Sequence, residues 1–173
     1  MVEHSGAERR AAVARVLEEA AGPVSAASLA RQFSVSRQII VGDIALLRAG
    51  GAGILATPRG YVLERRQEGV VHTVACVHTP EQMEAELTTI VDAGGEVVDV
   101  IVEHPVYGQL TGILGLRSRY DIGEFIRRVA EHGARPLSDL TGGIHLHTVR
   151  CQDEKSFQRV QKALANEGFL LNM

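Results

Sequence analysis

Gly143-Ile144-His145-Leu146-His147-Thr148-Val149-Arg150 reads as a β-strand entered through a pair of glycines, Gly142 and Gly143. Side chains alternate across a strand, so His145 and His147 share one face, within reach of a single ion. Two more imidazoles occupy similar settings upstream. His78 ends the apolar run Val74-Ala75-Cys76-Val77, just before Thr79-Pro80 opens a helix that carries Glu86, and His104 follows the run Val97 to Val102. A strand pair and a helix would bring such groups together. Zinc and nickel both accept imidazole nitrogen and carboxylate oxygen, so His78, Glu86, His145 and His147 form a chemically reasonable set.

Around this run the second half of the chain alternates strand and helix. The expected elements are Val71 to Val77, Pro80 to Ala93, Glu96 to Glu103, Gln109 to Leu116, Ile122 to Glu131, Ile144 to Arg150, Lys155 to Asn166 and Gly168 to Leu171. Thr79-Pro80-Glu81-Gln82 and Asp121-Ile122-Gly123-Glu124 carry capping chemistry for the first two helices. The order implies a sheet with helices on one face, a ferredoxin-like α/β sandwich within an α+β chain. On the first helix Met83, Leu87, Ile90 and Val91 form the buried stripe, with Glu84 and Glu86 at its two edges; periodicity does not choose between them. Two loops, Glu103-His104-Pro105-Val106-Tyr107-Gly108 and Thr141-Gly142-Gly143, offer hydrogen-bonding groups and close backbone approach, as a small-molecule pocket requires.

The first half reads as three helices and a hairpin. Ala7 to Ala21 aligns Val13, Val16 and Leu17 and stops at Gly22-Pro23; Ser25 caps Ala26 to Phe33. Ser36 caps Arg37 to Ala49, which buries Ile40, Ile44 and Leu47 and turns Arg37, Gln38 and Val41 outward. This is helix-turn-helix spacing, in which the second helix of the pair enters the major groove, and Arg and Gln are the side chains that pair with guanine and adenine there. Ile54 to Thr57, the turn Pro58-Arg59-Gly60 and Tyr61 to Leu63 form a wing with Arg59 at its tip. Candidate DNA contacts are therefore Ser36, Arg37, Gln38, Val41 and Arg59. The charged run Glu64-Arg65-Arg66-Gln67-Glu68-Gly69 reads as the linker between a winged helix-turn-helix domain over residues 1–65 and a second domain over 70–173.

The composition agrees with two small globular units: 173 residues, 45% hydrophobic, 23% charged. Residues 1–69 hold nine arginines against seven acids, and the rest of the net charge of −3 makes the second half acidic. No apolar stretch of membrane-spanning length occurs, and the polar Met1 to Gly6 has no signal-peptide core, so a cytoplasmic protein is expected. Cys76 and Cys151 sit in apolar runs and read as buried thiols without a bridge.

Three segments make the likeness specific. Cys76-Val77-His78-Thr79-Pro80-Glu81-Gln82 with Glu86, then Asp99-Val100-Ile101-Val102-Glu103-His104-Pro105-Val106-Tyr107-Gly108, then Gly143-Ile144-His145-Leu146-His147-Thr148 resemble the three-histidine domain family. Ser36-Arg37-Gln38-Ile39-Ile40-Val41 with Asp43-Ile44 is similar to the winged helix fused to that domain in bacterial niacin-responsive repressors of NAD biosynthesis and niacin uptake. The resemblance implies a homodimer on a palindromic DNA operator, nicotinic acid as co-repressor, and no enzymatic turnover. It also implies one divalent transition ion per chain, nickel or zinc, on His78, Glu86, His145 and His147, which selects Glu86 over Glu84. Glu103, His104 and Tyr107 are expected at the effector pocket, and His72 is expected to be structural. Two rival readings are a metal-sensing repressor without an organic effector and a metalloenzyme in which Glu103, His104 and Tyr107 help to activate water.

Overall fold

Ser25 and Ser36 both stand in extended backbone, and their hydroxyls accept the amides of Ser28 and Ile39 at 3.0 and 3.2 Å, so each begins a helix. The computed structural model describes residues 6–64 and 69–171; most of the expected linker lies outside them. Its first unit, Met1–Arg66, holds α1 (Gly6–Glu19), α2 (Ala26–Gln32), α3 (Arg37–Ala49) and the hairpin β1 (Ile54–Thr57) with β2 (Gly60–Leu63). Val13, Leu17, Leu29, Ile40, Ile44 and Ile54 form its core. The hairpin is anchored by Tyr61 pairing with Val24, and the φ of +139° at Gly60 lets the turn lie against the backbone of Val24 and Ser25, where a Cβ would collide.

The second unit, Gln67–Met173, is a four-stranded antiparallel sheet with three helices. Its elements are β3 (Val70–Val77), α4 (Met83–Asp92), β4 (Gly95–His104), β5 (Gly108–Leu116), α5 (Arg119–Glu131), β6 (Ile144–Cys151) and α6 (Glu154–Asn166). The α+β sandwich of one antiparallel sheet and three helices stands, but the strand order is β3-β6-β4-β5, so the last strand fills the gap between the first two and touches both. The expected ferredoxin-like sheet has the third strand, here β5, in that place. Leu87 and Ile90 of α4, Ile122 of α5, and Phe157, Val160 and Leu164 of α6 close over Val74, Cys76, Val97, Leu114, Leu116 and Val149 of the sheet. Burying this apolar area is the main stabilising contribution.

Several local expectations shift. Thr79 and Gln82 do form a capping box, but the turn they close is a short 3-10 segment, Pro80–Gln82, ahead of α4. For α5 the cap is Ser118 rather than Asp121: the Ser118 hydroxyl accepts the Asp121 amide, and Asp121 reaches back to the Arg117 amide. A cap needs extended backbone, which Ser118 has and Asp121, inside the helix, lacks. Residues 168–171 run along the outer edge of β3, bonding Val77 and Ala75, yet pair only as an isolated bridge at Leu170. A 3-10 segment, Leu137–Thr141, precedes β6 where the sequence pattern marks no element.

Candidate metal centre and nucleic-acid interface

β3 and β6 pair so that Cys76 lies opposite His145 and Val74 opposite His147. His78 follows β3 at its end, on the face that Cys76 shares, and Glu86 projects from the first turn of α4. Gly143, at φ +95°, brings the start of β6 against the His78 carbonyl, a position that any Cβ would block. Sheet register and one helix turn thus place four polar groups together.

They meet on one carboxylate. The Nε2 atoms of His78, His145 and His147 lie 2.8, 3.2 and 3.2 Å from Glu86 carboxylate oxygens. All four residues are buried, and Glu86 is fully enclosed. Glu84, by contrast, is exposed, so packing makes the choice that periodicity left open.

On the far side of each ring the partner is a backbone carbonyl: Thr79 for His78 at 2.7 Å, Gly143 for His145 at 2.9 Å and Asp99 for His147 at 2.6 Å. A carbonyl only accepts, so every Nδ1 carries its proton and donates it. A neutral ring then turns its Nε2 lone pair toward Glu86, where it meets the lone pairs of the carboxylate. Protonating all three rings would remove that clash but enclose three positive charges around one negative charge, out of water. Burial pushes the Glu86 carboxyl up, yet where the rings of His145, His147 and His78 carry Nε2 protons their hydrogen bonds outweigh it and hold the group below the ordinary carboxylate range. At His78 burial opposes the charged ring, but the bond and charge of Glu86 prevail and raise its affinity for a proton. One proton on His78 still leaves two lone pairs facing the same acid. Three imidazole nitrogens and one carboxylate, each oriented by its surroundings, are the donor set that a divalent transition ion satisfies.

Cys76 is the neighbour that the sequence reading assigned to packing alone. Its sulfur, a Glu86 oxygen and a His145 nitrogen lie within 4.8 Å of one another. Burial pushes its thiol far up, and the charge of Glu86 pushes it further. The signal was present, since Cys76 precedes His78 by two residues and alternation puts them on one face.

The proposed effector residues sit elsewhere on the sheet end. Glu103, His104 and Tyr107 belong to the β4–β5 hairpin, where His104 Nδ1 accepts the amides of Val106 and Tyr107 and its ring lies 5.0 Å from that of Tyr107. Tyr107 is 74% exposed. Among the described residues no hydrogen bond joins the three to the imidazole cluster. His72 stacks on Phe157 at 4.0 Å and bonds Glu154 at 2.9 Å, on the surface.

In the first unit Arg37, Gln38 and Val41 are exposed on α3, with Ser36 at its cap. Arg59 lies in the hairpin turn, half-buried, and its amide bonds the Thr57 hydroxyl at 3.3 Å.

Comparison with known proteins covers both units. Residues 71–173 match the 3H domain, and residues 9–62 match a helix-turn-helix domain. The chain is 46% identical over 164 residues to the probable transcription repressor NiaR of Thermotoga maritima, covering 95% of this chain and 94% of that protein. It is 40% identical over 170 residues to the transcription repressor NadR of Bacillus subtilis, covering 96% and 94%. Among the described residues no helix is long and apolar enough to cross a membrane.

Proposed function

The chain belongs to the 3H-domain family, and from that membership we propose that it is a DNA-binding transcription repressor of NAD biosynthesis or niacin uptake genes, with nicotinic acid as co-repressor. The named relatives are repressors, not enzymes. In this reading the domain over 1–65 grips the operator through Ser36, Arg37, Gln38, Val41 and Arg59, and the domain over 70–173 binds metal and effector.

The single observation behind the metal assignment is the arrangement of three rings, each fixed by a backbone carbonyl, on one buried carboxylate. His78, Glu86, His145 and His147 would hold one nickel or zinc ion. When bound, such an ion supplies the positive charge that Glu86 lacks and takes up the Nε2 lone pairs. The carbonyls of Thr79, Gly143 and Asp99 fix each ring's tautomer and direction, and burial keeps water off the acid. Because the ligands come from β6, α4 and the residue that follows β3, filling the site ties the sheet to its helix. Glu103, His104 and Tyr107 remain the proposed effector contacts at the same end of the sheet. Nicotinate then favours the dimer in which two α3 helices sit one turn of a palindromic operator apart, a difference in affinity between two states.

Operator affinity measured with nicotinate, nicotinamide, NAD and metal ions in separate titrations tests the scheme. Tightening that requires nicotinate supports it. Tightening with metal alone would replace it by a metal-sensing repressor, a reading favoured by the purely local bonds of His104. His145→Ala is expected to lower metal content and the nicotinate response while the fold persists; unchanged metal by elemental analysis would refute the assignment.

A further inference from the structure

Gly42 stands in the middle of α3, five residues beyond its first position. Glycine in a helix interior is destabilising relative to alanine. Among the described residues nothing requires it, for a Cβ at this site would meet no heavy atom within 4 Å beyond its own stretch of helix. That alone is no argument, since Gly123 in α5 is equally open. Position separates the two. At about 100° per residue, the direction opposite the buried Ile40, Asp43 and Ile44 runs through Gln38, Gly42 and Ala45, all exposed.

This outward side also lacks the charges of a solvated helix face. Between Arg37 and Arg48 the one charged residue is Asp43, which is buried and bonded to Arg9 at 2.6 Å. Ile39, Val41 and Leu46 are instead 43%, 37% and 57% exposed. Arginines at both ends of the helix with an uncharged, partly apolar middle match a major groove, whose rims are phosphate and whose floor carries base edges and thymine methyls.

Resting on the DNA-binding reading above, we propose that Gly42 is the point of closest approach between this helix and the groove floor. There the helix backbone itself lies against the bases, and a side chain at position 42 holds the helix away. Gln38, one turn earlier, then reaches base edges, and Val41 lies beside them. The site selects duplex DNA by shape, and glycine is kept at the expense of helix stability.

The test uses the full-length, zinc-loaded chain with nicotinate, and a duplex selected by that chain from a randomised pool. Gly42→Ala should raise the thermal midpoint of the N-terminal unit by a few degrees and weaken binding to the selected duplex about tenfold or more. Gly42→Ser should show the same loss. Gly123→Ala should raise stability and leave duplex affinity unchanged. Wild-type affinity in Gly42→Ala overturns the proposal. A wild-type chain that selects no duplex overturns the DNA-binding reading itself, and the two failures are thereby told apart.

Discussion

Each unit of this molecule buries an acid beside a proposed binding surface, and the two acids are satisfied in opposite ways. Asp43, beneath the outward face of α3, takes Arg9 at 2.6 and 3.2 Å through two guanidinium nitrogens, with Arg10 at 3.8 Å. Guanidinium is charged at every working pH, so this pair is complete within the chain. Glu86 is ringed by imidazoles whose Nδ1 protons are committed to backbone carbonyls; a single protonated ring matches its charge but leaves two Nε2 lone pairs facing it. Within one chain, then, one buried acid serves as a structural strut and the other belongs to the proposed metal site. The difference lies in whether the partner's charge is permanent.

Four experiments press on that difference, beginning with the largest effect. Glu86→Gln removes the charge that draws the cation and should weaken metal binding about a hundredfold or more; calorimetric titration with zinc or nickel measures it, and unaltered affinity would make Glu86 a strut like Asp43. Stripping metal with a chelator should destabilise the second unit by about 3 kcal/mol relative to protein held at a hundred times its dissociation constant. The first unit's melting should not move, and scanning calorimetry resolves the two. Arg9→Met leaves Asp43 buried with one distant arginine, and should lower the melting temperature of the first unit only, with or without metal, by circular dichroism. The smallest change is expected from Cys76→Ala. It removes a buried sulfur at a cost of about 1 kcal/mol but keeps one metal per chain, because the rings and Glu86 remain; loss of stoichiometry by elemental analysis would promote Cys76 to a ligand.

Local signals carried much of this molecule. Hydroxyl caps at Ser25 and Ser36, the break at Gly22-Pro23 and the period of Ile40, Ile44 and Leu47 mark the helices because caps and amphipathic stripes act over one or two turns. Alternation paired His145 with His147 for the same reason. Ser118 and Asp121 are both capping residue types, and only backbone conformation distinguishes them. The 3-10 segment Leu137–Thr141 has no periodicity to betray it.

By itself the sequence determined most of the elements, the two-part organisation and the identity of the imidazoles, since these depend on chain-neighbour chemistry and on a likeness spread over the whole length. Only the tertiary structure decided that β6 enters between β3 and β4 and that Cys76 joins the cluster's edge, and it gave the packing reason for the inward turn of Glu86, which the family likeness alone had implied. Strand order and side-chain convergence depend on contacts between residues some sixty positions apart, such as Glu86 and His147. Such contacts form only when the whole core closes, and no local pattern encodes them.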